Sequence, residues 1–335
     1  MGTVSSTQLN TDIAAAEAVG KIEITPLSAH TGVELSNLDL EKLAPTRPFI
    51  DLMKHLLDEY LVVLIRQQKL QPMTAQNFTG NFGPLLDIKR KGNVAIHVPE
   101  ADFIKVISNG KNAEGVAIGD GNASAQLWHS DSTPWEAPVG HIAFYCRQTP
   151  TPAPTTYFMN MIKVYESLPQ AMKDRIAKIR VIHHFFPRQI EPEIARTMPS
   201  MPLEDRRRGM LHPLVRRHLG TGKPFLYLPT RRDSLIPDMP EEESKALLTE
   251  LWDFVDAAPF KIGHAMQPDD FVIWDNRATV HSREGWPEEK TRVMWHISSE
   301  GEVPIPFYPK RTLNTIGLSA DQAKDVNSDL QMVDY

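Results

Sequence analysis

Apolar positions change their spacing from one segment of the chain to the next. Between residues 49 and 60 they recur at helical spacing, and the run LVVLI at 61–65 that follows is typical of a buried strand. Because an amphipathic helix must pack its apolar face against another element, these two segments predict a helix that lies on a sheet. An earlier strand is predicted to begin near Ile22.

The rest of the chain is mostly strand-like, with a few more helices. Strands are predicted at 139–146, 269–276 and 292–298, with brief strands and turns at 92–121. Helices are predicted at 74–82, 164–179 and 241–256. The pattern therefore predicts a mainly β domain with flanking helices, an α+β fold.

The order of the segments indicates one domain with a tail and an insertion. Residues 1–20 are small and polar, so we predict a flexible N-terminal tail there and a single domain over 21–335. The stretch at about 187–240 is irregular, and long insertions of this kind are usually lids or mobile loops. A solvated loop face is the favoured interpretation of its arginines, which are Arg206, Arg207, Arg208, Arg216, Arg217, Arg231 and Arg232.

Composition and charge exclude several classes of partner. The 335 residues are 41% hydrophobic, and 36 Lys and Arg against 42 Asp and Glu give a net charge of −6, so no nucleic-acid partner is expected. The apolar runs are too short to span a bilayer, and we expect neither a membrane partner nor a secretory signal. The single cysteine, Cys146, excludes an intramolecular disulfide, and a cytoplasmic location is predicted.

The candidate chemistry begins with a histidine and an aspartate two residues apart, His129 and Asp131 in QLWHSDST. On an extended strand these side chains project to the same face, where both could bind one cation. The pair alone is weak evidence, because a histidine held by a neighbouring carboxylate is common. His281, in the loop predicted after the 269–276 strand, would complete a facial triad, the ligand set of non-haem Fe(II) oxygenases.

An arginine follows the last of these residues, since Arg292 lies eleven positions after His281 (292 − 281). A planar guanidinium binds a carboxylate through two parallel hydrogen bonds, which a lysine cannot do with the same geometry. Together with an open Fe(II) site, this arginine indicates a keto-acid co-substrate.

Several motifs taken together resemble one family. QLWHSDST, PTTYF, FVIWDNRATVHSREGW and TRVMWH, in this order, are similar to the taurine and 2,4-dichlorophenoxyacetate dioxygenases within the Fe(II)/2-oxoglutarate-dependent oxygenases. HPLVRRHLGTGKPFLYL, GVELSNLDL and VVLIRQQ also resemble segments of that group. The resemblance implies that His129, Asp131 and His281 bind Fe(II) and that Thr156 and Arg292 bind the distal carboxylate of 2-oxoglutarate. Dioxygen (O2) would take the remaining metal position.

Three features depart from the family's pattern. Ala153-Pro154-Thr155-Thr156 replaces a turn of Gly-Gly-Asp-Thr type, so either Thr155 or Thr156 could contact 2-oxoglutarate. Members that act on sulfonates or phenoxyacetates have a second arginine four residues after the first, where this chain has His296. The third departure is the basic, Met-rich insertion.

Two residues are candidates for the primary-substrate site. His296 follows Arg292 by four positions on a predicted strand, so the two share a face, although a structural histidine bonded to the opposite strand is an equal alternative. Trp128, beside the first metal motif, could also contact substrate, although packing is its simpler role.

The expected fold is a double-stranded β-helix, or jelly-roll, with the metal at its open mouth. The expected function is oxidation of an unactivated C–H bond in a small, acidic organic substrate by Fe(II), 2-oxoglutarate and O2, with release of succinate and CO2. The outcome would be hydroxylation, desaturation or cleavage after hydroxylation. One alternative is a non-catalytic jelly-roll that binds 2-oxoglutarate or another metabolite, and a second is a cupin-type metalloenzyme without a keto acid. The family also implies a homo-oligomer.

Overall fold

The computed structural model describes residues 22–87, 96–184, 201–231 and 234–308. The predicted flexible tail at 1–20 lies outside the described residues, and so does the 185–200 part of the predicted insertion. The described part is mainly β, with sixteen strands and six α-helices, which confirms the expected balance of elements.

Eight strands form a large sheet. In spatial order they are β1 (Glu23–Pro26), β2 (Val33–Ser36), β3 (Val62–Ile65), β14 (Phe271–Asp275), β7 (His141–Gln148), β16 (Val293–Ser298), β5 (Ala101–Ser108) and β4 (His97–Val98). Within this sheet β2 and β3 are parallel, and the other neighbouring pairs are antiparallel. The four long apolar runs of the sequence supply its centre, β3, β14, β7 and β16.

A smaller sheet contains four antiparallel strands, in the order β13 (Lys261–Ala265), β8 (Thr155–Asn160), β15 (Thr279–Arg283) and β6 (Gln126–His129). One apolar cluster combines Leu64 and Trp274 of the large sheet with Phe158 and Ile262 of the small sheet. The two sheets therefore pack against each other. Two further antiparallel pairs join β9 (Arg180–His183) to β10 (Met210–Pro213) and β11 (Val215–Arg217) to β12 (Pro224–Leu226).

Helices cover the outer faces of both sheets. The helices α1 (Arg47–Tyr60) and α2 (Pro72–Thr79) share an apolar cluster with Ile273 and Trp295 of the large sheet. The helices α3 (Met161–Ser167), α4 (Gln170–Ile176) and α6 (Glu241–Ala257) share another with Met159 and Val280 of the small sheet. The short α5 spans Leu203–Arg206. Among the helices of the described residues, none has the length and apolar character needed to cross a bilayer.

The predicted helix at 164–179 is wrong as a single element. The helix α3 ends at Ser167, and α4 begins at Gln170. Between them Leu168 is extended, with ψ 143°, because the ring of Pro169 disfavours a helical conformation at the preceding residue. The apolar spacing of the sequence continues across this break, but the hydrogen-bond ladder does not.

The described part of the insertion carries both exposed and buried arginines. Most are exposed, as a solvated loop face predicts, namely Arg207, Arg208, Arg217 and Arg231, whereas Arg206 and Arg216 are buried. Leu214 and Phe225 are fully buried in the cluster beneath α6. Arg216 is 1% exposed, lies 4.4 Å from the ring centre of Tyr227 and donates a hydrogen bond to Glu302 over 3.2 Å. Apolar contacts and a cation–π contact therefore hold β11 and β12 in the core. The lid-like role of the insertion stays a prediction.

Candidate active site

Two adjacent strands of the small sheet carry the histidines singled out in the sequence. His129 ends β6, and His281 lies in the middle of β15 rather than in the predicted loop. They are direct cross-strand partners, with ring centres 4.2 Å apart, and both are buried. Strand pairing therefore brings together two imidazoles that are far apart along the chain.

Asp131 lies just beyond the end of β6 and completes the group. One candidate ligand atom from each of His129, Asp131 and His281 lies within 4.8 Å of the others. Nε2 of His129 is 3.5 Å from Oδ1 of Asp131. Nδ1 of His129 lies 2.6 Å from the carbonyl oxygen of Leu127, so Nδ1 carries the proton and Nε2 is the nitrogen that can bind a metal.

Asn276 fixes the backbone of Asp131. Its Oδ1 accepts a hydrogen bond from the N–H of Asp131 over 2.9 Å, and its Nδ2 donates to the carbonyl oxygens of Asp131 and Val139, each over 3.1 Å. The Asn276 side chain is buried, and the residue is 1% exposed. An amide that engages both backbone groups of one residue restricts where the Asp131 carboxylate can point.

A histidine of the predicted insertion holds the turn that follows Asp131. Nε2 of His212, in β10, lies 2.9 Å from the carbonyl oxygen of Thr133 and 3.0 Å from that of Trp135. Because both partners are acceptors, Nε2 must be the donor. Burial lowers the pKa of His212 to about 4, so its ring is neutral at neutral pH. The strand β10 therefore supports one wall of the site.

Arg292 lies directly before β16 and is 2% exposed. Its backbone N–H donates to Oδ1 of Asn109, whereas its side-chain Nε and Nη2 have no hydrogen-bond partner within the described residues. Burial lowers the pKa of the guanidinium to about 10, which still leaves it charged at neutral pH. A buried cation with unsatisfied N–H groups is complementary to an anionic ligand.

The two candidate threonines differ in their surroundings. Thr156 lines the same cavity as Arg292, and its buried Oγ1 has no hydrogen-bond partner within the described residues. Thr155 is not part of the cavity lining, and its backbone N–H donates to Glu284 over 2.9 Å. Of the two residues that the sequence left open, Thr156 is the one in the cavity.

The cavity has a volume of about 390 Å³, and the three candidate metal ligands lie in its lining. His296 also lines it, with Nε2 at 3.5 Å from Oδ2 of Asp131 and its ring edge-on to Phe144. Trp128 is not among the lining residues, because its side chain packs against the apolar cluster around α6. The structure thus brings His296 to the site, whereas Trp128 is partly buried against that cluster.

Two further basic side chains line the cavity, and neither had been assigned to it. Arg283 donates to two backbone carbonyls and lies 4.3 Å from the ring centre of Trp286. Lys105, on β5, forms an ion pair with Asp120. In the sequence, Lys105 interrupts the apolar run DFIKVIS. A lysine at an inward position of such a strand is the signal that could have identified Lys105 as a residue of the cavity.

A buried ion-pair cluster anchors the turn between the two strands β14 and β15. Nε2 of His218 is 2.8 Å from Oδ2 of Asp275, and Arg277 donates to both carboxylate oxygens. Although burial raises the pKa of Asp275, Arg277 and His218 hold it well below its ordinary value. Asp58, His218 and Asp275 also have ligand atoms within 4.8 Å of one another, but these contacts already balance the charge of Asp275.

Known proteins are similar to this chain in sequence and in fold. The family model of the taurine catabolism dioxygenases (TauD, TfdA family) matches residues 23–298. An (S)-phenoxypropionate/alpha-ketoglutarate dioxygenase of Sphingobium herbicidovorans is 26% identical over 298 residues, 84% of this chain and 95% of its own length. An alpha-ketoglutarate-dependent 2,4-dichlorophenoxyacetate dioxygenase of Cupriavidus pinatubonensis is 29% identical over 238 residues, 68% of this chain and 80% of its own.

A crystal structure of a taurine dioxygenase from Burkholderia xenovorans has the same fold, with a TM-score of 0.67 at 24% identity over 85% of this chain and 93% of that one. The family model covers most of the described residues, including every strand that lines the cavity. The chain therefore belongs to the TauD/TfdA family of dioxygenases.

Proposed function

We propose that His129, Asp131 and His281 hold the Fe(II) of this 2-oxoglutarate-dependent dioxygenase. The donor set suits the metal, because two neutral imidazoles and one carboxylate form the facial triad of non-haem Fe(II) oxygenases. The close approach of their ligand atoms, within 4.8 Å, is what supports this assignment. The hydrogen bond from His129 Nδ1 to Leu127 orients one imidazole for the task.

Arg292 and Thr156 would hold the distal carboxylate of 2-oxoglutarate. The single observation that carries this assignment is the buried guanidinium, whose Nε and Nη2 have no partner in the described residues although it lies in the same cavity as the three candidate ligands. The unsatisfied hydroxyl of Thr156 faces the same space and can donate to the same carboxylate. Both groups would gain a partner on binding.

When bound, Fe(II), 2-oxoglutarate and O2 supply an oxidant for a substrate C–H bond, with succinate and CO2 as co-products. The residues of the chain bind and orient. Asn276 keeps the carboxylate of Asp131 in place, His212 holds the wall formed by Thr133 and Trp135, and Arg292 sets the orientation of the keto acid.

The primary substrate is proposed to be a small organic acid. Two relatives are named for phenoxypropionate and 2,4-dichlorophenoxyacetate, which are carboxylic acids. A cavity of about 390 Å³ that also receives 2-oxoglutarate has room for a small molecule only. His296, next to Asp131, is the proposed substrate contact, and Trp128 is not carried forward because it is absent from the cavity lining and packs, partly buried, against the cluster around α6.

Two packed, largely antiparallel sheets with helices on their outer faces support a double-stranded β-helix as the core of this domain. A cytoplasmic location, a homo-oligomer, and the lack of nucleic-acid and membrane partners stay predictions.

Succinate release tests the proposed function. Protein supplied with Fe(II), ascorbate, 2-oxoglutarate and O2 should release succinate, and Asp131→Ala and His281→Ala should abolish both this release and Mn(II) binding. His30→Ala should leave both unchanged, since this histidine is exposed and does not line the cavity. Binding of 2-oxoglutarate without succinate release would indicate the non-catalytic alternative, and activity without any keto acid would indicate the cupin-type alternative.

A further inference from the structure

One wall of the cavity carries a charged side chain to which the proposed function gives no role. Along β5, Lys105 and Ile107 line the cavity, whereas Ile104 and Val106 pack in the cluster with α1 and α2. This alternation is that of a strand with one face toward the site. The Lys105 side chain is only 15% exposed, and a charge on such an inward position is costly unless a partner or a ligand compensates it.

The position of Lys105 relates it to the candidate metal group. Lys105 is the direct cross-strand partner of His296 in the β5–β16 pair. Side chains in such pairs have Cβ atoms about 4.5–5.5 Å apart. His296 in turn approaches Asp131, with Nε2 at 3.5 Å from Oδ2. A molecule bound at one end by Lys105 therefore has its remaining atoms next to the residues that would hold the metal.

Lys105 has bonding capacity beyond its present partner. Its Nζ lies 2.5 Å from Oδ2 of Asp120, whose side chain is 55% exposed at the cavity rim. An ammonium has three donors, so a second anionic group can bind while this ion pair remains.

The other strongly basic groups in the described lining already have assignments. Arg283 is bonded to backbone carbonyls and stacked on Trp286, and Arg292 faces the proposed co-substrate. Among the lysines and arginines of this described lining, Lys105 is therefore the one left to bind the primary substrate.

We propose that Lys105 binds the carboxylate or sulfonate of the primary substrate and thereby selects anionic substrates. The inference rests on the proposed function, because Arg292 is there assigned to 2-oxoglutarate. Asp120 competes with the substrate for the same ammonium, so it weakens anion binding. The two partners of one ion pair thus have opposite effects on the affinity for an acid.

Calorimetric titration of protein loaded with Mn(II) and N-oxalylglycine tests the inference. The probes are three matched pairs that differ in charge: phenoxyacetate and phenoxyacetamide, butyrate and butyramide, propanesulfonate and propanesulfonamide. A charge-assisted hydrogen bond is worth about 1.5–3 kcal/mol, so the wild type should bind at least one acid about tenfold or more tightly than its amide. Lys105→Gln should abolish this preference, Lys105→Arg should retain it, and Asp120→Asn should retain or increase it.

Lys111→Gln is the matched control. This lysine is exposed after β5, forms an isolated β-bridge with Ala117 and does not line the cavity, so its replacement should leave the preference unchanged. The inference is wrong if the wild type prefers no acid of the panel, or if Lys105→Gln keeps the preference. It is also wrong if Lys105→Gln and Asp120→Asn lose the preference alike, since the ion pair would then be structural. If Lys105→Gln does not fold, Asp120→Asn alone decides. A failure of the proposed function would be seen in a different measurement, as the absence of succinate release by the wild type.

Discussion

The buried charge of Arg292 should lower the stability of the protein without co-substrate, and the same charge should favour binding of an anion. Replacing Arg292 allows these two effects to be measured separately. Burial lowers its pKa from the ordinary 12.5 to about 10. At about 1.4 kcal/mol per pKa unit, keeping this group charged costs the folded state about 3 kcal/mol at any pH below about 10. The contact with Trp286, 5.7 Å from the guanidinium carbon to the ring centre, returns about 0.5–1 kcal/mol.

Arg292→Met should therefore raise the free energy of unfolding by about 2 kcal/mol when no co-substrate is present. For a chain of 335 residues that is an increase in Tm of about 3 °C. The wild type should gain about 2.7 kcal/mol from 2-oxoglutarate at a hundred times its Kd. Loss of a buried charge partner weakens binding by about thirtyfold or more, so the same concentration should stabilise the variant by less than about 1 kcal/mol.

Denaturant unfolding of Mn(II)-loaded protein, with and without 2-oxoglutarate, measures both quantities. Arg283→Met is the matched control, because Arg283 lies in the same cavity but donates to the carbonyls of Asn122 and Ser124. Removing it leaves these acceptors without their donor, so the control should be destabilised by about 1–3 kcal/mol. An Arg292→Met protein that is less stable than the wild type, or that 2-oxoglutarate still stabilises fully, would refute the reasoning.

Three further predictions follow from hydrogen bonds and burial around the site. Asn276→Ala should lower Mn(II) affinity by about 10–100-fold in a folded protein, and equal affinity would contradict its role toward Asp131. His212→Ala should raise the substrate KM more than it lowers kcat, because it removes the donor to the carbonyls of Thr133 and Trp135. His212→Gln should partly restore the KM, and an unchanged KM in His212→Ala would contradict the role of His212 in the cavity wall. Burial lowers the pKa of His141 to about 4, so its contribution to stability should be complete above pH 6.5 and be lost as the pH falls toward 4. Acid unfolding of His141→Gln should show a smaller pH dependence, and an identical profile would exclude this source.

The elements with one clear apolar period could be predicted from the sequence. Each of these elements has a run of apolar residues that is buried against its neighbours; they are the strands β3, β7, β14 and β16 and the helix α6. The prediction of one helix at 164–179 was wrong because of a local effect. Pro169 keeps Leu168 out of the helical conformation, although the apolar spacing continues beyond this point. Periodicity reports the buried face, and it does not report where the backbone hydrogen bonds stop.

Side-chain roles that depend on strand register could not be read from the chain. His281 was expected in a loop, and only the pairing of β15 with β6 places it opposite His129. Lys105 meets His296 through the pairing of β5 with β16, two segments that are far apart in sequence. Arg216 looked like part of a solvated cluster, yet its guanidinium lies over Tyr227 in the core. These contacts are tertiary, so the local sequence around each residue does not predict them.

The segment WDNRATVH shows why a short motif can be more specific than any of its residues. The Trp274 ring packs edge-on against His281, with centres 5.2 Å apart, and Asp275 is fixed by buried ion pairs. Asn276 holds the backbone of Asp131, and His281 supplies a candidate ligand of its own. This one segment thus positions two of the three candidate ligands, although one of them, Asp131, follows a different strand, β6. A substitution at any of these positions should therefore disturb the candidate metal site as well as the local fold, which ties the spacing of the motif to the proposed chemistry.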